Sequence, residues 1–111
     1  MLHGKIHWLL HRFSAILLLP LILWFIFSLS LVPEISYENM ILWLGKTLNF
    51  TFLSILIIIA AHHFQLGIQV ILEDYISEKN TRNFYIKLVN LIYYLLAFFG
   101  VASITKIYFG V

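Results

Sequence analysis

The residues best placed to do chemistry stand in one stretch, from His62 to Tyr75. His63 lies inside a long apolar run. Gly67 follows four residues later, then Val70, Ile71 and Asp74 at helical spacing, with Tyr75 next in the chain. On a helix, His63 and Gly67 sit one turn apart on the same face. Lipid offers an imidazole no water, so a histidine at membrane depth is a functional candidate by default. A glycine one turn away removes side-chain bulk and lets something large and flat approach the backbone. Haem is the obvious flat partner for a buried imidazole, with His63 as an axial ligand to the iron and Gly67 as clearance.

Read without a ligand, His63 is a helix-to-helix hydrogen-bonding side chain. His62 competes for the ligand role, but it points about 100° away around the helix. The one-turn spacing to Gly67 favours His63. Adjacent residues cannot occupy opposite faces of one porphyrin, and His11 falls at the edge of an apolar run. A second axial histidine therefore most simply comes from another subunit.

Asp74 and Tyr75 close the run. They are either a helix boundary with an interfacial tyrosine, or a phenol that donates to a carbonyl beside a carboxylate that tunes it or relays a proton. A quinone head would meet the second description. Arg12 either snorkels to lipid phosphates or neutralises a buried anion such as a haem propionate. His3, His7 and His11, spaced by four, would form one helical stripe, either a metal site or a titratable surface facing headgroups. Gln65, Gln69, Asn49 and Asn90 are polar residues in apolar runs and are expected to face other helices.

The elements that must position these residues are membrane spans. The chain is 62% hydrophobic and 11% charged, less than half the charged share of an ordinary soluble domain. Phe13–Pro33, Thr47–Leu72 and Leu88–Thr105 contain no Asp, Glu, Lys or Arg. Each is close to the 20 or so residues that a bilayer requires. The expected fold is all-α, an integral membrane bundle of three transmembrane helices over 13–33, 47–72 and 88–105, in a single domain covering 1–111. Pro20 should bend the first helix. Asn80-Thr81-Arg82-Asn83 reads as a turn before the third. The basic head is followed by no small-residue cleavage site, so the first run reads as a mature helix and not as a signal peptide.

Lys5, Arg12, Lys79, Arg82 and Lys87 fall on one side of such a bundle, and Lys46 and Lys106 on the other. That excess predicts the N-terminus inside and the C-terminus outside. The net charge of +2 is too small to suggest a nucleic-acid partner. The absence of cysteine excludes thiolate-held clusters and disulfides within the chain.

The pattern His63-x-x-x-Gly67-x-x-Val70-x-x-x-Asp74-Tyr75, with Trp8-x-x-His11-Arg12-x-Ser14-Ala15 opening the first span, resembles the small hydrophobic membrane-anchor subunit of succinate dehydrogenase (respiratory complex II), which has three spans. The resemblance covers nearly the whole chain in span number, order and length. It implies a subunit that is not catalytic alone. Its partners would be a flavoprotein subunit that oxidises succinate in the tricarboxylic acid cycle, an iron–sulfur subunit, and a cytochrome b-type anchor subunit. The two anchors would share haem b and help to form the site where ubiquinone is reduced. By position, His63 looks like the axial ligand, Arg12 like the arginine near the propionates, and Tyr75 like the phenol that bonds a quinone carbonyl, with Asp74 beside it. The resemblance places the chain in a mitochondrial inner membrane or a bacterial plasma membrane. His62 doubles the histidine, and histidine precedes Arg12 where relatives often carry glutamine.

Two other functions compete. One is a haem-free structural anchor of the fumarate reductase type. The other is a small transporter or channel component, which should carry polar residues along one face of several spans or have broken helices near the midplane. The first run, apart from Pro20 and its serines, is nearly all hydrocarbon.

Overall fold

The computed structural model describes residues 2–110, except for the side chains of residues 2–4 and 7. The described residues are all α-helical with short connections: α1 (Leu2–Ser30), α2 (Tyr37–Leu44), α3 (Thr47–Tyr75) and α4 (Lys79–Phe109). Three stretches are long and apolar enough to cross a membrane, Trp8–Ser30, Thr47–Tyr75 and Lys79–Phe109. In lipid a backbone can satisfy its own polar groups only by closing them internally, and an uncharged apolar run does so as a helix. α1 continues through Pro20 as one helix, although the proline removes one backbone donor.

One local expectation is corrected. Asn80–Asn83 is not a turn but the first turn of α4. The chain reverses earlier, at Ile76–Glu78, because the Glu78 side chain accepts from the backbone N–H groups of Asn80 (3.1 Å) and Thr81 (2.6 Å) and caps the helix there. The connection after α1 is itself structured. It contains α2, which Ser36 starts by accepting from the Asn39 N–H at 3.2 Å. α2 turns Trp43 inward, and its indole N–H donates to Ser28 Oγ at 2.9 Å. The buried Asn49 amide donates to the Trp43 carbonyl at 2.9 Å. The asparagine thus fixes the corner between α2 and α3.

α3 is the central helix. α1 and α4 flank it, both antiparallel to it, and do not meet each other among the described residues. Trp24 of α1 packs edge-on against Phe52 of α3, with ring centroids 5.2 Å apart. On the other side, Phe50 stacks on Tyr108 at 4.3 Å, and the hydroxyls of Thr47 and Tyr108 are bonded at 2.7 Å. Further along, Gly100 lets α4 lie close against Ile57, whose Cγ2 would stand 3.4 Å from an added Cβ. A row of three helices buries little of its apolar surface. Phe27, Leu31, Phe98 and Phe99, for example, remain exposed, which suits lipid or neighbouring membrane subunits and not water.

Candidate functional site

The α1–α3 seam carries the candidate site. Ser14 and His11 are three residues apart on α1 and so share a face. Both turn toward α3. Ser14 is buried, with 5% of its surface exposed. Its hydroxyl donates to the His11 carbonyl at 2.7 Å and lies 3.0 Å from His63 Nδ1. The His11 ring stacks on the His63 ring, with centroids 4.6 Å apart and planes 18° from parallel. His11 Nε2 reaches over Gly67 and would stand 3.7 Å from a Cβ built there.

The two adjacent histidines are thereby distinguished. Both are half-buried. His63 is tied to Ser14 and stacked by His11. His62 lines a small apolar groove of about 180 Å³ with Leu10, Phe13 and Leu17, and among the described residues it has no hydrogen-bond partner. A haem ligand needs one nitrogen free for iron and is commonly held in orientation through the other. His63 meets both needs, because among the described residues nothing bonds its Nε2.

By residue order alone His11 stands at a membrane edge; the structure brings it onto His63 and above Gly67. The signal was present in the three-residue spacing of His11 and Ser14, which puts both on one face of α1. Arg12 points away from the seam and is exposed, with its guanidinium over the Trp8 ring, 5.2 Å from the centroid. That is a cation–π contact. His3 and His7 of the four-residue stripe lie outside the described side chains. Among the described residues no group of three or more His, Cys, Asp or Glu could hold a metal ion.

The polar residues of α3 do face helices, and they connect. Gln65 is 3% exposed. Its amide donates to Gln69 Oε1 at 3.0 Å and to Asn90 Oδ1 of α4, so both protons are used. The Gln69 amide in turn donates to Glu73 Oε1 at 3.0 Å. Asp74 and Tyr75 lie beyond this chain of bonds at the end of α3. Tyr75 is 84% exposed, Asp74 is exposed, and neither side chain has a partner among the described residues. Tyr75 lies about 18 Å along α3 from His63, at 1.5 Å per residue.

The profile of the succinate dehydrogenase/fumarate reductase transmembrane subunit matches residues 2–102, and so covers every residue of the candidate site. The chain belongs to this family. It is similar to the succinate dehydrogenase hydrophobic membrane anchor subunit of Rickettsia bellii (strain RML369-C), 41% identical over 81 residues, which make up 72% of this chain and 64% of that protein. It is 35% identical over 92 residues to the succinate dehydrogenase membrane anchor subunit of Reclinomonas americana, covering 80% of this chain and 77% of that one. The corresponding subunit of Rickettsia felis (strain ATCC VR-1525 / URRWXCal2) is 37% identical over 89 residues, 79% of this chain and 73% of that one. The match therefore spans just under two thirds of the Rickettsia bellii protein. No solved structure matches the chain. Membership of the transmembrane-subunit family and three spanning-length apolar helices make the chain a multi-pass membrane protein.

Proposed function

We propose that this chain is the membrane-anchor subunit of a succinate:ubiquinone oxidoreductase, holding haem b jointly with a cytochrome b-type anchor and forming part of the ubiquinone-reduction site. The observation that carries the haem assignment is the half-buried His63, oriented through Nδ1 by Ser14, with no partner on Nε2 among the described residues. His63 would ligate the iron, Gly67 would leave room beside it, and Arg12 would swing from Trp8 to the propionates. When bound, haem supplies a one-electron relay inside the membrane. A second histidine to hold the haem would come from the partner anchor.

The exposed end of α3 serves the quinone. Tyr75 donates its phenolic proton in a hydrogen bond to a carbonyl oxygen of the quinone head. Asp74, beside it, tunes the phenol or relays a proton toward that oxygen as its charge builds. Reduction of a quinone to a quinol takes two electrons and two protons. The electrons come from the iron–sulfur subunit, which the flavoprotein subunit supplies by oxidising succinate. The excess of Lys and Arg on the head and on residues 79–87 orients this end to the inside of a bacterial plasma membrane or mitochondrial inner membrane.

One observation favours a second reading, a haem-free structural anchor. The His11 ring already fills the space above Gly67, so haem must displace it. A reduced-minus-oxidised absorbance spectrum of the purified complex separates the two. The haem reading expects a b-type band that is lost in His63→Leu and kept in His62→Ala. No band in the wild-type complex leaves the haem-free anchor.

A further inference from the structure

Ser14 takes part in two hydrogen bonds with one proton. Its Oγ lies 2.7 Å from the His11 carbonyl oxygen and 3.0 Å from His63 Nδ1. A carbonyl oxygen only accepts, so the shorter contact requires the serine proton. If that proton went to His63 instead, two oxygens without a proton between them would face each other at 2.7 Å. The serine therefore spends its proton on its own helix and offers His63 a lone pair. The bond at 3.0 Å then runs from His63 Nδ1–H to Ser14 Oγ.

This direction decides what His63 can do. A neutral imidazole carries one proton, and a partner that accepts from Nδ1 leaves the lone pair on Nε2. The opposite tautomer would present Nε2–H to the membrane interior and could not ligate a metal through that atom. We propose that Ser14 is the positioning residue of His63: with its proton committed to the His11 carbonyl, it selects the Nδ1–H tautomer, fixes the ring, and presents the Nε2 lone pair. The proposal rests on the haem reading for its consequence but not for its geometry. Burial strengthens it, since water has little access to Ser14 to replace the bond.

A serine that merely packs α1 against α3 would affect assembly and nothing else. A positioning serine also tunes the ligand, because a bond accepted from Nδ1–H raises the basicity of the ring. The test compares assembled complexes that carry the wild-type chain, Ser14→Ala or Ser14→Thr. In Ser14→Ala, haem affinity should fall by about 10–100-fold, the haem midpoint potential should rise, and the low-spin electron paramagnetic resonance signal should change. Ser14→Thr keeps a hydroxyl and should restore all three. Unchanged potential and resonance in Ser14→Ala overturn the proposal, as does a threonine variant as impaired as the alanine one.

If the wild-type complex holds no haem, the cofactor reading fails, and the tautomer is measured directly. Nitrogen-15 shifts of labelled histidine in the wild-type complex report it, with the His63 signal assigned by its loss in His63→Leu. Protonated Nδ1 upholds the Ser14 assignment; protonated Nε2 overturns it. The same measurement serves if Ser14→Ala does not assemble.

Discussion

His11 reaches across from α1 to stack on His63 and ends with Nε2 3.7 Å from where a Cβ on Gly67 would stand. That distance is ordinary van der Waals contact, so the glycine is not required by the backbone alone. Gly67→Ala should be tolerated in assembly. Gly67→Leu adds further carbons where the imidazole lies and should destabilise the seam by about 1–3 kcal/mol through overpacking, despite leucine's better helix propensity. Thermal unfolding of the complex in detergent checks the stability difference. Haem content checks whether the same space is needed for the cofactor. Equal behaviour of the two variants would remove any clearance role from Gly67.

Tyr75 is exposed in the isolated chain, and an interfacial anchor of that kind tolerates phenylalanine. A phenol bonded to a quinone carbonyl does not. Tyr75→Phe should leave assembly and succinate oxidation with an artificial acceptor intact while slowing ubiquinone reduction by one to two orders of magnitude. That is the effect of losing a hydrogen bond worth about 1–3 kcal/mol. Asp74→Asn should have the same effect more weakly. The ratio of the two activities in membranes is the readout, and a wild-type ratio in Tyr75→Phe makes the residue an anchor.

Gln65 and Asn90 form the polar tie between α3 and α4. Gln65→Leu leaves the Asn90 and Gln69 amide oxygens without that donor and should cost about 1–3 kcal/mol, mostly at Asn90 in the apolar seam. Replacing Gln65 and Asn90 together with leucine removes the orphaned Asn90 oxygen, leaves only the half-buried Gln69 oxygen without that donor, and should recover most of the loss. A double-mutant cycle on unfolding of the complex measures the coupling. Simple additivity of the two single losses would mean that the bond contributes nothing.

Glu78 caps α4 outside the apolar span. The Thr81 hydroxyl, then the backbone N–H groups of Thr81 and Asn80, hold its carboxyl below the ordinary carboxylate range. A carboxyl with a depressed folded-state value contributes stability above its unfolded value, and that contribution disappears as pH falls through the folded value. The first turn of α4 should therefore fray on acidification into and below the ordinary carboxylate range. Hydrogen exchange of the Asn80 and Thr81 amides in lipid nanodiscs follows it. Glu78→Gln should flatten that pH dependence, and an unaltered profile would show that the carboxylate does not govern the cap.

The helical character of the chain was legible from residue order because it depends on a local property. Three uncharged runs of bilayer length leave the backbone no partner but itself, so the runs that open at Phe13, Thr47 and Leu88 already announced helices. The inward turn of Gln65 and Asn90 followed from the same cost of an unpaired polar group in lipid. The one-turn spacing of His63 and Gly67 drew attention to the part of α3 that packs on His11 and Ser14, and the motifs around them pointed to the right family. Cap positions were less legible. Glu78 starts α4 and Ser36 starts α2 through side-chain bonds to nearby backbone, signals that compete with the turn propensity of Asn80–Asn83. What only the tertiary structure decided was which side chains of different helices meet. No spacing rule says that Ser14 falls opposite His63, that His11 lies over Gly67, or that α1 and α4 stand on either side of α3 and, among the described residues, do not touch. Those relations depend on the register and rotation of one helix against another, which the packing of the whole chain sets.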